Sequence, residues 1–278
     1  MIGIIDVGGG MRGSFGAGVF DWCLENGITF DYHVGVSAGS ANITSFLAGQ
    51  KGRNLRFYSE YAFRPQYMSF ANFAKTGSYL DLEYIYGGAL TNSGGEDPLD
   101  FPAMQASGKP FVIVATDANT GLPHYFMASE MSQDDYGAVK ASSCVPVLDK
   151  PYAWKGGLYF DGGMSDPIPF QRCFDAGCGK VVVVLTRPRD YFRDPARDER
   201  LARLLVKYPN AAKALAFRSR IYNDQLKDAQ KLEEQGKVLI LAPDDISGMK
   251  TLTKDKETIV ALHRKGYEAA AAISGFLQ

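Results

Sequence analysis

The 278-residue sequence predicts an α/β fold with a mainly parallel central sheet and helices on both faces. Three observations predict it. Residues 2–7 form a short β-branched run that stops at Gly8, as a buried strand does. Residues 180–186 and 238–241 are apolar without alternation, the character of parallel strands covered on both faces. Between such runs, apolar residues recur at helical spacing, as Phe15, Val19, Trp22 and Cys23 do over residues 14–26.

In chain order, the first strand runs into a glycine turn and then a helix that Asn26-Gly27 caps. A second strand ends at Val36, and a helix is expected from about Ala38 to Leu47. Residues 111–117 read as a strand, with Asn119-Thr120-Gly121 turning into another near Tyr125. Residues 197–235, rich in Ala, Leu, Arg and Lys, read as helical with a break at Pro209, and residues 254–276 read as a closing helix. The pattern shows no repeat, low-complexity tract or linker. The expectation is one domain over residues 1–278, with a helical C-terminal portion (about 197–278) packed on it.

Composition narrows the function. With 46% hydrophobic residues, 22% charged residues and a net charge of -1, nothing in the bulk electrostatics suggests nucleic acid or a strongly anionic surface. Four scattered cysteines lack the accompanying histidines or second pair of a zinc site and are expected to be reduced structural thiols. The start of the chain has no basic leader with a following apolar stretch, so a cytoplasmic location is expected.

Two strand-to-helix turns carry the chemical signal. The first is Gly8-Gly9-Gly10-Met11-Arg12-Gly13, where glycines let several N–H groups converge and the following helix adds its positive end. This is an anion site, and an oxyanion is one guest. The second is Gly35-Val36-Ser37-Ala38-Gly39, the single G-x-S-x-G of the chain, in which small neighbours expose a serine on a strained elbow. In a chain with 30 glycines the string alone says little, but it lies after a predicted strand and before a predicted helix.

Competing readings use the same residues. Gly8, Gly10 and Gly13 satisfy G-x-G-x-x-G, the dinucleotide fingerprint, but that reading needs an acid at the end of the second strand, where Ser37 stands. A Walker loop would need Lys after Gly13, where Ser14 stands. A Ser-His-Asp α/β-hydrolase would place the nucleophile after several strands and supply a late histidine. Here Ser37 follows one βαβ unit, and the three histidines are His33, His124 and His263, of which His263 stays in contention.

Together, Gly8–Gly13, the segment Gly-Val-Ser-Ala-Gly-Ser at 35–40 and Asp161-Gly162-Gly163 resemble the motifs of the patatin-like phospholipases, in that family's order. The resemblance extends through Ala115-Thr116-Asp117, Ala141-Ser142-Ser143 with Pro146, and Asp166-Pro167-Ile168-Pro169. It implies a three-layer α/β/α sandwich and a Ser–Asp dyad, with Ser37 as nucleophile and Asp161 as proton acceptor. It further implies an oxyanion hole drawn from Gly8, Gly9, Gly10, Met11, Arg12 and Gly13. The implied activity is hydrolysis of a lipid or other ester substrate with no metal and no cofactor. Two positions depart from the family pattern, Val7 before the glycines and Cys144 in a slot often filled by Ala or Ser. On local sequence alone Asp161-Gly162 is also a plain hairpin turn, and Asp6, Asp117 and Asp166 are other carboxylates in play.

Two further features stand out. Phe57, Tyr58, Tyr61, Phe63, Tyr67, Phe70, Phe73 and Tyr79 crowd residues 55–80, a pattern of helix packing from which a subset could line an acyl channel or touch a membrane surface. Arg187, Arg189 and Arg193 follow a strand end, either as solvated charge or as contacts for a phosphate head group.

Overall fold

The computed structural model describes residues 1–278. Its sheet has eight strands, numbered in chain order: β1 Ile2–Asp6, β2 Tyr32–Val36, β3 Phe111–Asp117, β4 Pro123–Met127, β5 Tyr152–Trp154, β6 Gly157–Asp161, β7 Lys180–Val184 and β8 Val238–Leu241. Strands β3, β2, β1, β7 and β8 lie side by side and parallel. Antiparallel β4 covers the outer edge of β3, and β5 and β6 form an antiparallel pair.

Alternation along the central strands sends neighbours to opposite faces, and both faces are apolar. Ile4, Val182 and Val184 pack under helix α1 (Ser14–Glu25), helix α2 (Ala38–Leu47) and the helix Lys256–Ala269, through Phe15, Val19, Ile43, Ile259 and Leu262. Ile5, Val181 and Val183 face the other way, onto Tyr222, Leu226 and Ala229 of the long helix Pro209–Glu234. The result is a three-layer α/β/α sandwich with a mainly parallel sheet.

In the C-terminal region the strand expected at 238–241 and the helix break expected at Pro209 are both present. Strand β8 completes the sheet beside β7, and Pro209 occupies the first turn of its long helix, where a missing N–H costs nothing. The expected closing helix is two, Lys256–Ala269 and Ala272–Leu277. No helix is long and apolar enough to cross a membrane.

One register positions the site. Strand β2 pairs with β3 as far as Val36↔Val114, and β6 takes up the next position, Ala115↔Asp161. Thr116 pairs with both Pro123 and Phe160, so β4 holds one edge of β3 while β2 and β6 share the other. The end of β2 and the end of β6 therefore meet, which delivers Ser37 and Asp161 to one spot.

Candidate active site

Ser37 sits between β2 and α2 with φ 55 and ψ -132, a backbone conformation that side-chain-bearing residues rarely adopt. Surrounding bonds hold it there. Ser142 Oγ accepts the Ser37 N–H at 2.8 Å and donates to the Val114 carbonyl at 2.6 Å, while Ser40 Oγ donates to the Ser37 carbonyl at 2.6 Å. Small residues make room. A Cβ on Gly35 would lie 2.5 Å from Ser40 Cα, and one on Gly39 2.2 Å from the Asp6 carbonyl. The N-terminus of α2 adds its partial positive charge at the serine.

Asp161 closes β6. Its Oδ1 accepts the Gly163 N–H at 2.8 Å, its N–H donates to the Cys144 carbonyl at 2.7 Å, and its carbonyl accepts from Thr116 Oγ1 at 2.9 Å. Gly162 lies so close to β3 that a Cβ would meet the Val114 carbonyl at 2.1 Å. Burial pushes the Asp161 carboxyl above its ordinary range, and Arg218, the facing Ser37 hydroxyl and the Gly163 amide pull it partly back.

Gly8, Gly9 and Gly10 all take positive φ, at 62, 126 and 60. The loop is tethered at three points. Gly8 N–H donates to Asp6 Oδ1 at 2.8 Å, Thr186 Oγ1 donates to the Gly8 carbonyl, and Met11 N–H donates to the Thr251 carbonyl at 2.8 Å. Asp6 is wholly buried, with Asn42 Nδ2 donating to its Oδ2 at 2.8 Å and Tyr58 bonding Asn42 in turn. Desolvation raises the Asp6 carboxyl to about 6. Gly9 and Gly10 keep N–H groups without a protein partner.

These parts share a cavity of about 350 Å³ lined by Gly8, Gly9, Gly10, Arg12, Ser37, Asp161 and Gly163, with Val145, Val147, Leu201 and Leu215 on its apolar side. Two expected oxyanion residues lie elsewhere. Met11 lines a smaller pocket of about 40 Å³ that Ser37 also borders, with Tyr58, Tyr67, Met68, Leu80 and Ile85. Gly13 packs under the Tyr58 hydroxyl.

No histidine reaches the cavity. His33 Nδ1 is 3.1 Å from the Pro110 carbonyl, His124 packs at a tilt against Phe126 and Tyr159, and His263 Nε2 lies 2.9 Å from Asp21 Oδ2. The other carboxylates are also engaged away from Ser37. Asp117 caps the turn at Asn119-Thr120, and Asp166 accepts from Tyr125 and Gln225. Of the aromatics in 55–80, Phe57, Tyr58, Tyr61 and Tyr67 are core residues, whereas Phe70 and Phe73 are exposed. All four cysteines are buried free thiols.

The fold and this constellation define an α/β protein with a serine on a strained strand–helix elbow, facing a glycine loop and a buried carboxylate. The chain belongs to the patatin-like phospholipase family, whose model matches residues 7–174. A second model, a domain of unknown function (DUF6363), matches residues 208–274. Among curated proteins the chain is similar to the uncharacterized protein YjjU of Escherichia coli strain K12, with 28% identity over 209 residues. That match covers 73% of this chain and 57% of YjjU, so the chain spans little more than half the relative's length. Among solved structures it is similar to VipD from Legionella pneumophila, with TM-score 0.49 and 15% identity, covering 98% of this chain and 66% of VipD.

Residues that sequence reasoning missed are the tethers. Asn42, Tyr58, Thr186 and Thr251 carry no local motif, and only their contacts across the fold identify them.

Proposed function

We propose that the chain hydrolyses carboxylic esters of lipids through an acyl-enzyme, with Ser37 as nucleophile and Asp161 as its proton acceptor. The observation that carries this reading is that Ser37, on its strained elbow, faces a buried carboxylate in a cavity that holds no histidine. Ser37 Oγ attacks the ester carbonyl while Asp161 takes its proton. The same proton passes to the departing alcohol, and water repeats the sequence on the acyl-enzyme.

A carboxylate is a weak base for a hydroxyl, so much of the acceleration must come from electrostatic stabilisation of the oxyanion. The unpartnered N–H groups of Gly9 and Gly10 suit that role, each donor being worth about 3–4 kcal/mol in such a hole. The tethers from Asp6, Thr186 and Thr251 hold the loop before reaction, so little reorganisation accompanies the charge. Ser37 borders both cavities, which supports an acyl chain starting in the apolar pocket and an alcohol leaving into the larger one.

Asp161→Asn tests the dyad. Asn keeps the shape and can still accept the Gly163 N–H, but it cannot take a proton. The expected result is near-complete loss of kcat on a p-nitrophenyl ester with little change in Tm, and residual turnover above solution hydrolysis. A folded Asp161→Asn enzyme with wild-type kcat would return Asp161 to the role of a turn residue.

A further inference from the structure

The larger cavity has a second wall that ester hydrolysis as such does not use. Arg12, Arg187, Arg193, Arg197, Arg218 and Lys250 all line it, and Asp161 is the one carboxylate among the lining residues. Of the six cations only Arg193 has an ion-pair partner, Asp198, at 2.6 and 2.9 Å. Arg12 is 5% exposed, its Nε has no partner, and its one side-chain bond is a long one, 3.3 Å to Thr251 Oγ1. The Nε of Arg218 is likewise buried without a partner. Arg187 Cζ lies over the Tyr191 ring, 4.0 Å from its centroid.

These groups stand close to the reacting atoms. A Cβ on Gly9 would lie 3.1 Å from Arg12 Nη2, and one on Gly163 would lie 3.9 Å from Arg218 Nη2. Their crowding is costly in the free protein. Burial first, and neighbouring arginines with it, lower Arg12 to about 9 and Arg218 to about 10. Folded proteins normally answer buried cations with carboxylates. Here the answer is largely withheld, which leaves planar donors free to receive an anion in bidentate fashion.

We propose that this wall binds a phosphate dianion beside Ser37, as a phosphomonoester carries, and so selects esters whose alcohol bears that group. The proposal rests on the hydrolase reading for the ester and on the cavity itself for the anion. A phosphodiester or carboxylate brings one charge, whereas a phosphomonoester brings close to two at neutral pH, nearer to what the unpaired cations demand. Apart from Arg12, every cation of the wall lies outside the matched patatin segment 7–174. Arg218 and Lys250 fall within the segment 208–274, so that region of unknown function carries part of the head-group wall of the cavity.

The test has a kinetic arm and a binding arm. Four acyl-matched, monomeric substrates are compared: a monoacylglycerol 3-phosphate, the corresponding glycerophosphoglycerol and glycerophosphocholine lysolipids, and the monoacylglycerol. The expected kcat/KM for the phosphomonoester exceeds that for each of the others at least tenfold, and Arg187→Gln cuts this advantage about tenfold. In the binding arm, inorganic phosphate is added to Ser37→Ala protein against chloride at equal ionic strength. A rise in Tm of a few degrees, lost on adding Arg187→Gln, is expected.

The arms separate the sources of phosphate. Competitive inhibition of phosphomonoester turnover by inorganic phosphate assigns the site to the substrate head group. Stimulation of neutral-ester turnover by phosphate, without preference for the phosphomonoester, assigns it to a free anion, and the dianion site stands while substrate selection falls. Phosphate stabilisation in a protein that turns over no ester would sink the hydrolase reading and keep the anion site. Neutral-ester turnover with neither phosphomonoester preference nor phosphate stabilisation would overturn the proposal and leave the hydrolase reading intact.

Discussion

At the scale of single residues, the proposed dyad depends on a carboxylate that must be charged to act. Asp161 is held above its ordinary value of 3.8, chiefly by burial. In the proposed mechanism a protonated Asp161 cannot take the serine proton, so activity is lost below that raised value. The acid limb of kcat/KM on a neutral ester is therefore expected above pH 3.8, with activity falling as the pH falls through it. Asp6 gives a separate signature in stability. Its folded value is raised to about 6, so the folded state holds its proton more tightly than the unfolded chain does. Its contribution is greatest in acid and declines as the pH rises from 3.8 towards about 6. Urea midpoints across that range should show the decline, to which the raised Asp149 also contributes, and Asp6→Asn should make it shallower. An acid limb at or below 3.8, or a decline unchanged in Asp6→Asn, would count against these assignments.

At the scale of elements, the elbow and glycine loop were legible because each announces itself within a few residues. Gly35-Val36-Ser37-Ala38-Gly39 needs small neighbours and has them, and the contacts at Gly35 and Gly39 show why. Strands β1, β7 and β8 were legible from unbroken apolar runs. The placement of Asp161 was not legible without a family resemblance, since β6 reaches Ser37 only by following β2 along the same edge of β3. Arg218 carried no signal either, because one arginine in a charged helix reads as solvated. The contact between α1 and the helix Lys256–Ala269 was equally hidden. It depends on two glycines: a Cβ on Gly18 would sit 1.9 Å from the His263 carbonyl, and one on Gly266 1.9 Å from the Phe15 carbonyl. Ala should gain about 1 kcal/mol in helix propensity at either site. Overpacking against backbone costs about 1–3 kcal/mol and cannot be relieved by a rotamer change. Gly266→Ala should therefore lower stability in chemical denaturation, and a stabilised variant would show that the helices are not packed this closely.

At the scale of the whole molecule, the matched segments 7–174 and 208–274 both contribute strands to one sheet. Strand β8 pairs with β7 from Val181↔Val238 to Val184↔Leu241, and the helix Pro209–Glu234 covers one face of the sheet. Thr251 closes the glycine loop from the far end of the sequence. We therefore expect far- and near-ultraviolet circular dichroism to report one coincident unfolding transition. Two resolved transitions would mean that the C-terminal region folds independently. Residues of the later third, among them Arg218 and Thr251, line the same cavity as Gly8 and Ser37.

The most direct test of the central claim is to label the wild-type protein with a fluorophosphonate probe and locate the adduct by mass spectrometry. The probe requires an activated serine and mimics the tetrahedral intermediate, so it reports the nucleophile, the oxyanion hole and the base together. The expected result is one adduct, on Ser37, formed equally well by His33→Gln, His124→Gln and His263→Gln proteins and lost in Asp161→Asn. An adduct on another serine, or labelling that survives Asp161→Asn and vanishes with one folded histidine variant, would contradict it.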